Sequence, residues 1–310
     1  MPADLTALLT QAHEYATRSH ALNTRINYTA DWKHFTHWCE EHGRQFLPAT
    51  HETLLCYLVA CTEHYAVATI DRHLSAISYF HRQERYELPT KHPGVLRTMR
   101  GIRRDKGVAP AGKAALTLPL LRAMLAALPN DERGVRDAAL LLVGFAGAFR
   151  QSELVSLRVS DVECVEQGMI LTLRRSKTDQ EGEGEAKGIP FGKELATCPV
   201  RALQTWLVVG NISDGPVFRP IGRYGTIGAG AMHNAGVSRV VKQAIARTNC
   251  DPGEYSGHSL RAGLVTAAAI AGVNERVIMR QTGHRDPRTL RRYIREGELF
   301  RENAAGEVGL

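Results

Sequence analysis

The chain has 310 residues, 44% hydrophobic and 23% charged, close to the averages of folded globular proteins, which excludes disorder as its general state. Its longest apolar runs, AALLLVGFAGAF and AGLVTAAAIAGV, fall short of the roughly 20 residues a membrane span needs and read as buried helices, so no membrane partner is expected. A formal net charge of +7 points to a polyanionic partner, nucleic acid first, and six cysteines without C-x-x-C spacing read as reduced thiols of a cytoplasmic protein.

In chain order, residues 24–42 place Tyr28, Trp32, Phe35 and Trp38 at helical spacing behind Thr24 as N-cap. HETLLCYLVACTEHY and TIDRHLSAISYFHRQERY predict two further amphipathic helices, and PGVLRTMRGIRRDKG a fourth with Arg97, Arg100 and Arg104 along one face. The first hundred residues therefore read as a small helical bundle. Ten of the 13 histidines lie before residue 93 and read as solvated helix-face side chains; a zinc site using His34, His37, Cys39 and His42 is the weaker alternative. The segment RDKGVAPAGKAALT lacks apolar periodicity and places a domain boundary at residues 108/109. Beyond it, LPLLRAMLAAL and GVRDAALLLVGFAGAF are helical, and Ile170 to Leu173 favour a strand. The Gly/Glu-rich QEGEGEAKG then predicts a turn into a second strand at GIPF, after which helical patterns run to an acidic tail.

Four stretches hold residues suited to chemistry: GAFRQSELVSLRVSDV, LRRSKTD, HSLRAG and TGHRDPRTLRRYI. His258 and Arg261 are three residues apart, which on a helix lets both address one group. Any one of these arginines alone reads as a surface side chain or an ion-pair partner. Together, in this order and at these separations, the stretches resemble the tyrosine site-specific recombinases, the phage integrase family. The family's G-x-R-x-x-E-L-x-x-L setting is matched by Arg150, Glu153, Leu154 and Leu157, and its β-hairpin lysine by Lys177 in SKTD. Its H-x-x-R pair is matched by His258 and Arg261, its later G-H by His284, and the tyrosine nine residues on by Tyr293. Ala148 stands where the family usually has glycine, and Thr282 where leucine commonly precedes the G-H; neither change removes a chemical group.

The resemblance implies a mainly α fold with a small β-hairpin or sheet. A helical, SAM-like core-binding domain would span residues 1–108, and an α+β catalytic domain with a C-terminal tail residues 109–310. It also implies a DNA strand transferase working through a 3′-phosphotyrosyl link, with Tyr293 as nucleophile. Attack on a phosphodiester builds negative charge, so a catalyst without metal needs fixed cations, which Arg150 and Arg261 would supply. His258 and His284 would add hydrogen bonds, with His258 placed to accept the tyrosine proton. A free tyrosine has a pKa of about 10, and the arginines around Tyr293 would lower the cost of ionising it while docking the DNA backbone, Arg288 and Arg292 among them.

Lys177 is the candidate acid for the leaving 5′ oxygen; its rival Lys187, beyond the acidic turn, reads as exposed. Glu153 would orient a cation. The sequence shows no P-loop, no DxD pair and no zinc quartet, so no cofactor is implied. The expected partners are double-stranded DNA bearing a short inverted repeat, met by Arg97, Arg100 and Arg104 in the first domain, and three further copies of the chain. These copies would form a tetramer on paired sites, with the tail residues Leu299 and Phe300 docking on a neighbour. A type IB topoisomerase and a catalytically silent DNA-binding protein are the alternatives.

Overall fold

Four helices follow from the apolar spacing of the first hundred residues: α1 (Leu22–Glu41), α2 (His51–His64), α3 (Val67–Gln83) and α4 (Pro93–Lys106). The computed structural model describes residues 7, 8, 10, 11, 22–107, 112–174, 184–284, 286, 287, 290 and 293. The chain divides into two compact units, 1–111 and 112–310. In the first, Phe35, Leu54, Tyr57, Leu58, Ile70, Ile77, Val95 and Met99 form one core. Burying such a side chain is worth about 1.5–3 kcal/mol, which is why the amphipathic stripe governs these helices more than propensity does. Thr50 caps α2 by accepting a hydrogen bond from the amide of Thr53, and Pro93 opens α4 where its missing N–H costs nothing. Along α4, Val95, Met99 and Ile102 are buried while Arg97, Arg100 and Arg104 are exposed.

Two expectations for this unit are corrected. Thr24 lies inside α1, which already runs from Leu22, so it is not the N-cap. The histidines are not uniformly solvated: His73 is 3% exposed and His81 fully buried. Both stay because each finds partners, without which burial would cost several kcal/mol, on the order of 2–7. His81 accepts from the Ala49 amide at 2.9 Å through Nε2 and donates to the Ile77 carbonyl at 2.9 Å through Nδ1. A longer chain runs from Tyr65 through His34, Tyr57 and His73 to Asp31, with steps of 3.1, 2.7, 2.8 and 3.3 Å. Arg72 closes it with two bonds to the Asp31 carboxylate.

The second unit holds α5 (Leu118–Ala126), α6 (Glu132–Ala146) and α7 (Gln151–Ser156). An antiparallel sheet of order β1-β2-β3 follows (Val162–Val165, Gly168–Leu173, Glu185–Pro190), then α8 (Pro199–Val209), α9 (Asn234–Ile245), α10 (His258–Ile270) and α11 (Glu275–Thr282). Its core gathers Leu140, Leu141, Val143, Phe149, Leu203, Trp206, Phe218 and Leu260, and the Trp206 indole donates to the Val217 carbonyl at 2.8 Å. The four-residue strand β1 was not foreseen, because VECV is too short and too exposed to alternate visibly. β3 begins at Glu185, earlier than GIPF suggests, and pairs Lys187 with Leu171 and Ile189 with Met169. Period-two alternation then turns Lys187 and Ile189 to the same, buried face. No helix among the described residues is long and apolar enough to cross a membrane.

Candidate active site

The site is built on the loop that leaves α6. Three successive carbonyls at that end are each met by a side-chain donor from a different element. Gln281 Nε2 of α11 donates to Ala146 at 3.0 Å, Lys187 Nζ of β3 to Gly147 at 3.2 Å, and Arg261 NH1 of α10 to Ala148 at 2.7 Å. The carbonyl end of a helix carries partial negative charge, so two cations there are favourably placed. Ala148 has φ 47°, in the left-handed region, and is fully buried. Alanine tolerates that conformation at a cost of roughly 1–2 kcal/mol.

Two residues on, Arg150 occupies the N-cap position of α7. Its guanidinium cannot accept a hydrogen bond, so the capping is done by Glu153. One carboxylate oxygen takes the Arg150 amide at 2.8 Å, the other takes the Arg150 guanidinium, and Glu153 is only 3% exposed. Glu153 therefore holds both the backbone and the side chain of Arg150. Ser238 of α9 ties the next layer: its hydroxyl donates to Gln151 at 3.1 Å and accepts from the amide of Gly257, just before His258, at 3.2 Å.

Arg261, 2% exposed, is the hub. One arm reaches Ala148 and the other lies 3.1 Å from Nε2 of His284. Burial, reinforced by the Arg150 charge, lowers its pKa to about 10, so it stays cationic at neutral pH. α10 sits close enough for this contact because Gly263 packs on α6; a Cβ there would come within 2.2 Å of the Leu116 carbonyl and 2.8 Å of Phe145. His284 is brought back over α11 by Gly283, whose φ of 66° closes the helix in a left-handed cap. Burial, followed by the charges of Arg261, Arg150, His258 and Lys187, pushes His284 down to about 4. His258 opens α10 at the exposed rim, and loss of water around its ring, with Arg261 and Arg150 nearby, lowers it too. Both histidines are neutral at neutral pH. Tyr293 packs on the small apolar cluster of Val265, Ile278 and Leu290 and lies within electrostatic reach of Arg261.

The structure thus brings Arg150, Glu153, His258, Arg261, His284 and Tyr293 into one region of the second unit. Lys177, Arg288 and Arg292 lie outside the described residues. The reading of Lys187 as exposed is overturned: it is 3% exposed, donates to Gly147 and, at 2.8 Å, to the Gln281 carbonyl, and sits 5.1 Å from the Phe149 ring centroid. Burial, partly offset by Glu185 and Glu153, lowers it to about 8. Its signal in the sequence was the alternation with Ile189 across EAKGIP; Ser238 and Gln281 had no such signal, since only tertiary contact gives them a role.

Comparison with known proteins gives the chain its family. The family model for the phage integrase family matches residues 116–298, and that for the phage integrase N-terminal SAM-like domain matches residues 13–85. An integrase/recombinase XerD homologue of Selenomonas ruminantium is 37% identical over 296 residues, covering 94% of this chain and 86% of that protein. The Cre recombinase of Escherichia phage P1 is 25% identical over 279 residues, covering 83% and 79%. Among solved structures, the XerH site-specific recombinase bound to its palindromic difH substrate shares the fold at a TM-score of 0.60 and 15% identity, covering 83% of this chain and 72% of that one. The chain belongs to the phage integrase family, the tyrosine site-specific recombinases, which are DNA strand-transferring enzymes.

Proposed function

We propose that this chain cleaves and rejoins DNA at a specific site through a covalent tyrosine intermediate. The observation that carries the reading is the convergence on one region of Tyr293, two arginines and two neutral histidines, with Arg261 at the centre. Tyr293 Oη attacks a backbone phosphorus, its proton passes to His258, and the bond from phosphorus to the 5′ oxygen breaks. The departing 5′ oxygen takes a proton from Lys177. Arg150 and Arg261 neutralise the charge that grows on the non-bridging oxygens. The phosphodiester energy is kept in the phosphotyrosyl link, so a 5′ hydroxyl of a second duplex reverses the step with no external energy source. Arg97, Arg100 and Arg104, exposed along α4, contact phosphates, as do Arg288 and Arg292, which lie outside the described residues.

The DNA carries a short inverted repeat, and four copies of the chain assemble on paired sites. An apolar groove on the second unit, lined by Leu121, Leu142, Phe145, Pro190, Val277 and Ile278, suits the tail residues Leu299 and Phe300 of a neighbouring copy. Those two residues lie outside the described part of the chain.

The test is an adduct assay on nicked site DNA. The full chain should give a protease-sensitive covalent species that Tyr293→Phe loses while still binding the site. An adduct formed by Tyr293→Phe would sink the assignment. Relaxation of any supercoiled plasmid without a specific site would support the topoisomerase alternative instead.

A further inference from the structure

Thr282 closes α11 just before the Gly283–His284 pair, and its side chain is fully buried beside His284. A threonine hydroxyl has one hydrogen to give and lone pairs to accept with. Here the hydrogen goes to the α11 carbonyl of Ile278 at 2.7 Å, with Met279 a longer second acceptor at 3.3 Å. The oxygen is left as an acceptor, and its remaining partner is Nδ1 of His284 at 2.7 Å. That nitrogen must therefore carry the ring proton.

The other side of the ring gives the same answer independently. Arginine only donates, so the Arg261 NH2 group 3.1 Å from Nε2 requires a bare lone pair there. A hydrogen on Nε2 would point at the hydrogens of Arg261 and drive the guanidinium away. The turn at Gly283 makes the pairing possible by folding residue 284 back over residue 282; a Cβ there would also press on the Glu185 carboxylate at 3.1 Å. The contacts form one directed chain: Arg261 to His284, His284 to Thr282, Thr282 to the backbone of α11.

We propose that Thr282 is a positioning residue: its hydroxyl fixes His284 in the Nδ1–H tautomer and so makes His284 the acceptor that aims Arg261 at the reacting phosphate. The inference rests on the strand-transfer reading for its catalytic consequence but not for its structural content. In this arrangement both ring nitrogens of His284 are engaged, so it acts through Arg261 rather than by the direct hydrogen bond to the phosphate that the sequence suggests, and the burial and positive charge that keep the imidazole neutral serve that role.

The experiment uses the full chain labelled with 15N-histidine, with the His284 ring signals assigned by their loss in His284→Gln. The wild type at neutral pH should show a protonated Nδ1 and an unprotonated Nε2. Thr282→Ser, which keeps the hydroxyl, should show the same. Thr282→Val keeps the shape and loses the acceptor, so its ring should shift towards the Nε2–H form. Cleavage of nicked site DNA should then fall about tenfold in Thr282→Val, the effect of one lost hydrogen bond, and stay within about twofold of wild type in Thr282→Ser. An Nε2–H or doubly protonated ring in the wild type overturns the proposal. So does a Thr282→Val variant that keeps the tautomer, whether its cleavage is normal or slow, since slow cleavage would then reflect packing alone. A wild-type chain with the expected tautomer that forms no adduct defeats the strand-transfer reading and leaves the tautomer assignment standing.

Discussion

Each unit of this protein buries a cluster of polar side chains, and the two clusters differ in how their charges balance. In the first unit, each link from Tyr65 to Asp31 runs between a donor and an acceptor, and Asp31 is matched by Arg72. Burial lowers His34, His73 and His81, so all three are neutral connectors at neutral pH. That network links its members donor to acceptor, and its role is to specify one packing of α1, α2 and α3. In the second unit, Arg150, Arg261 and Lys187 face the carboxylates of Glu153 and Glu185, with His258 and His284 neutral. Three cations against two anions leave positive charge for a ligand, and a phosphodiester supplies its opposite. A buried polar network that closes on itself stabilises a fold, whereas one with a surplus of a single sign marks where chemistry is done.

The largest test asks which lysine belongs to the open part of the second cluster. Lys177→Ala should slow cleavage by about 10²- to 10⁴-fold on ordinary DNA, and a substrate with sulfur as the bridging 5′ atom should restore the rate, since a thiolate of pKa about 8.5 leaves without a proton. Lys187→Met should slow cleavage on both substrates, because Lys187 holds the Gly147 and Gln281 carbonyls rather than the leaving group. Sulfur rescue of Lys187→Met with none for Lys177→Ala would exchange the two roles.

A smaller effect separates the clusters by titration. His258 lies low in the free chain through lost water and the Arg261 and Arg150 charges. Adding the negative charge of a phosphodiester favours its protonated form, so binding of site DNA to Tyr293→Phe should raise the His258 pKa in an NMR titration. His73 and His81, closed off from any ligand, should titrate as before. Equal movement in both clusters, or none in either, would erase the distinction between them.

The smallest effect concerns the strained turn that joins α6 to Arg150. Ala148→Gly relieves a left-handed backbone at φ 47° and should stabilise the chain by about 0.5–1 kcal/mol in thermal unfolding, with cleavage kept within about twofold. A loss of stability would show that the alanine methyl contributes more by packing than it costs in strain.

Much of the fold was legible because apolar spacing repeats locally. Phe35, Leu58, Ile77 and Met99 announce their helices wherever those helices come to lie, and the strand at Ile170 to Leu173 declares itself by composition. The residues grouped around Arg261 were legible for another reason: Arg150, Glu153, His258, His284 and Tyr293 stand at separations that match a family of enzymes, and the group is specific where each member is not. What tertiary structure alone decided is where polar side chains point. His73 and His81 read as solvated until Tyr57, Asp31, Ile77 and Ala49 surround them, and Lys187 read as exposed until the register of β3 against β2 turned it inward. Thr282 looked like a neutral departure from a pattern until the turn at Gly283 folded His284 back onto its hydroxyl. The physical reason is common to all of these. An apolar side chain is driven inward by contact with water, which its own sequence pattern records, but a buried polar side chain is stable only if distant residues meet its hydrogen bonds, and those partners exist only once the chain has folded.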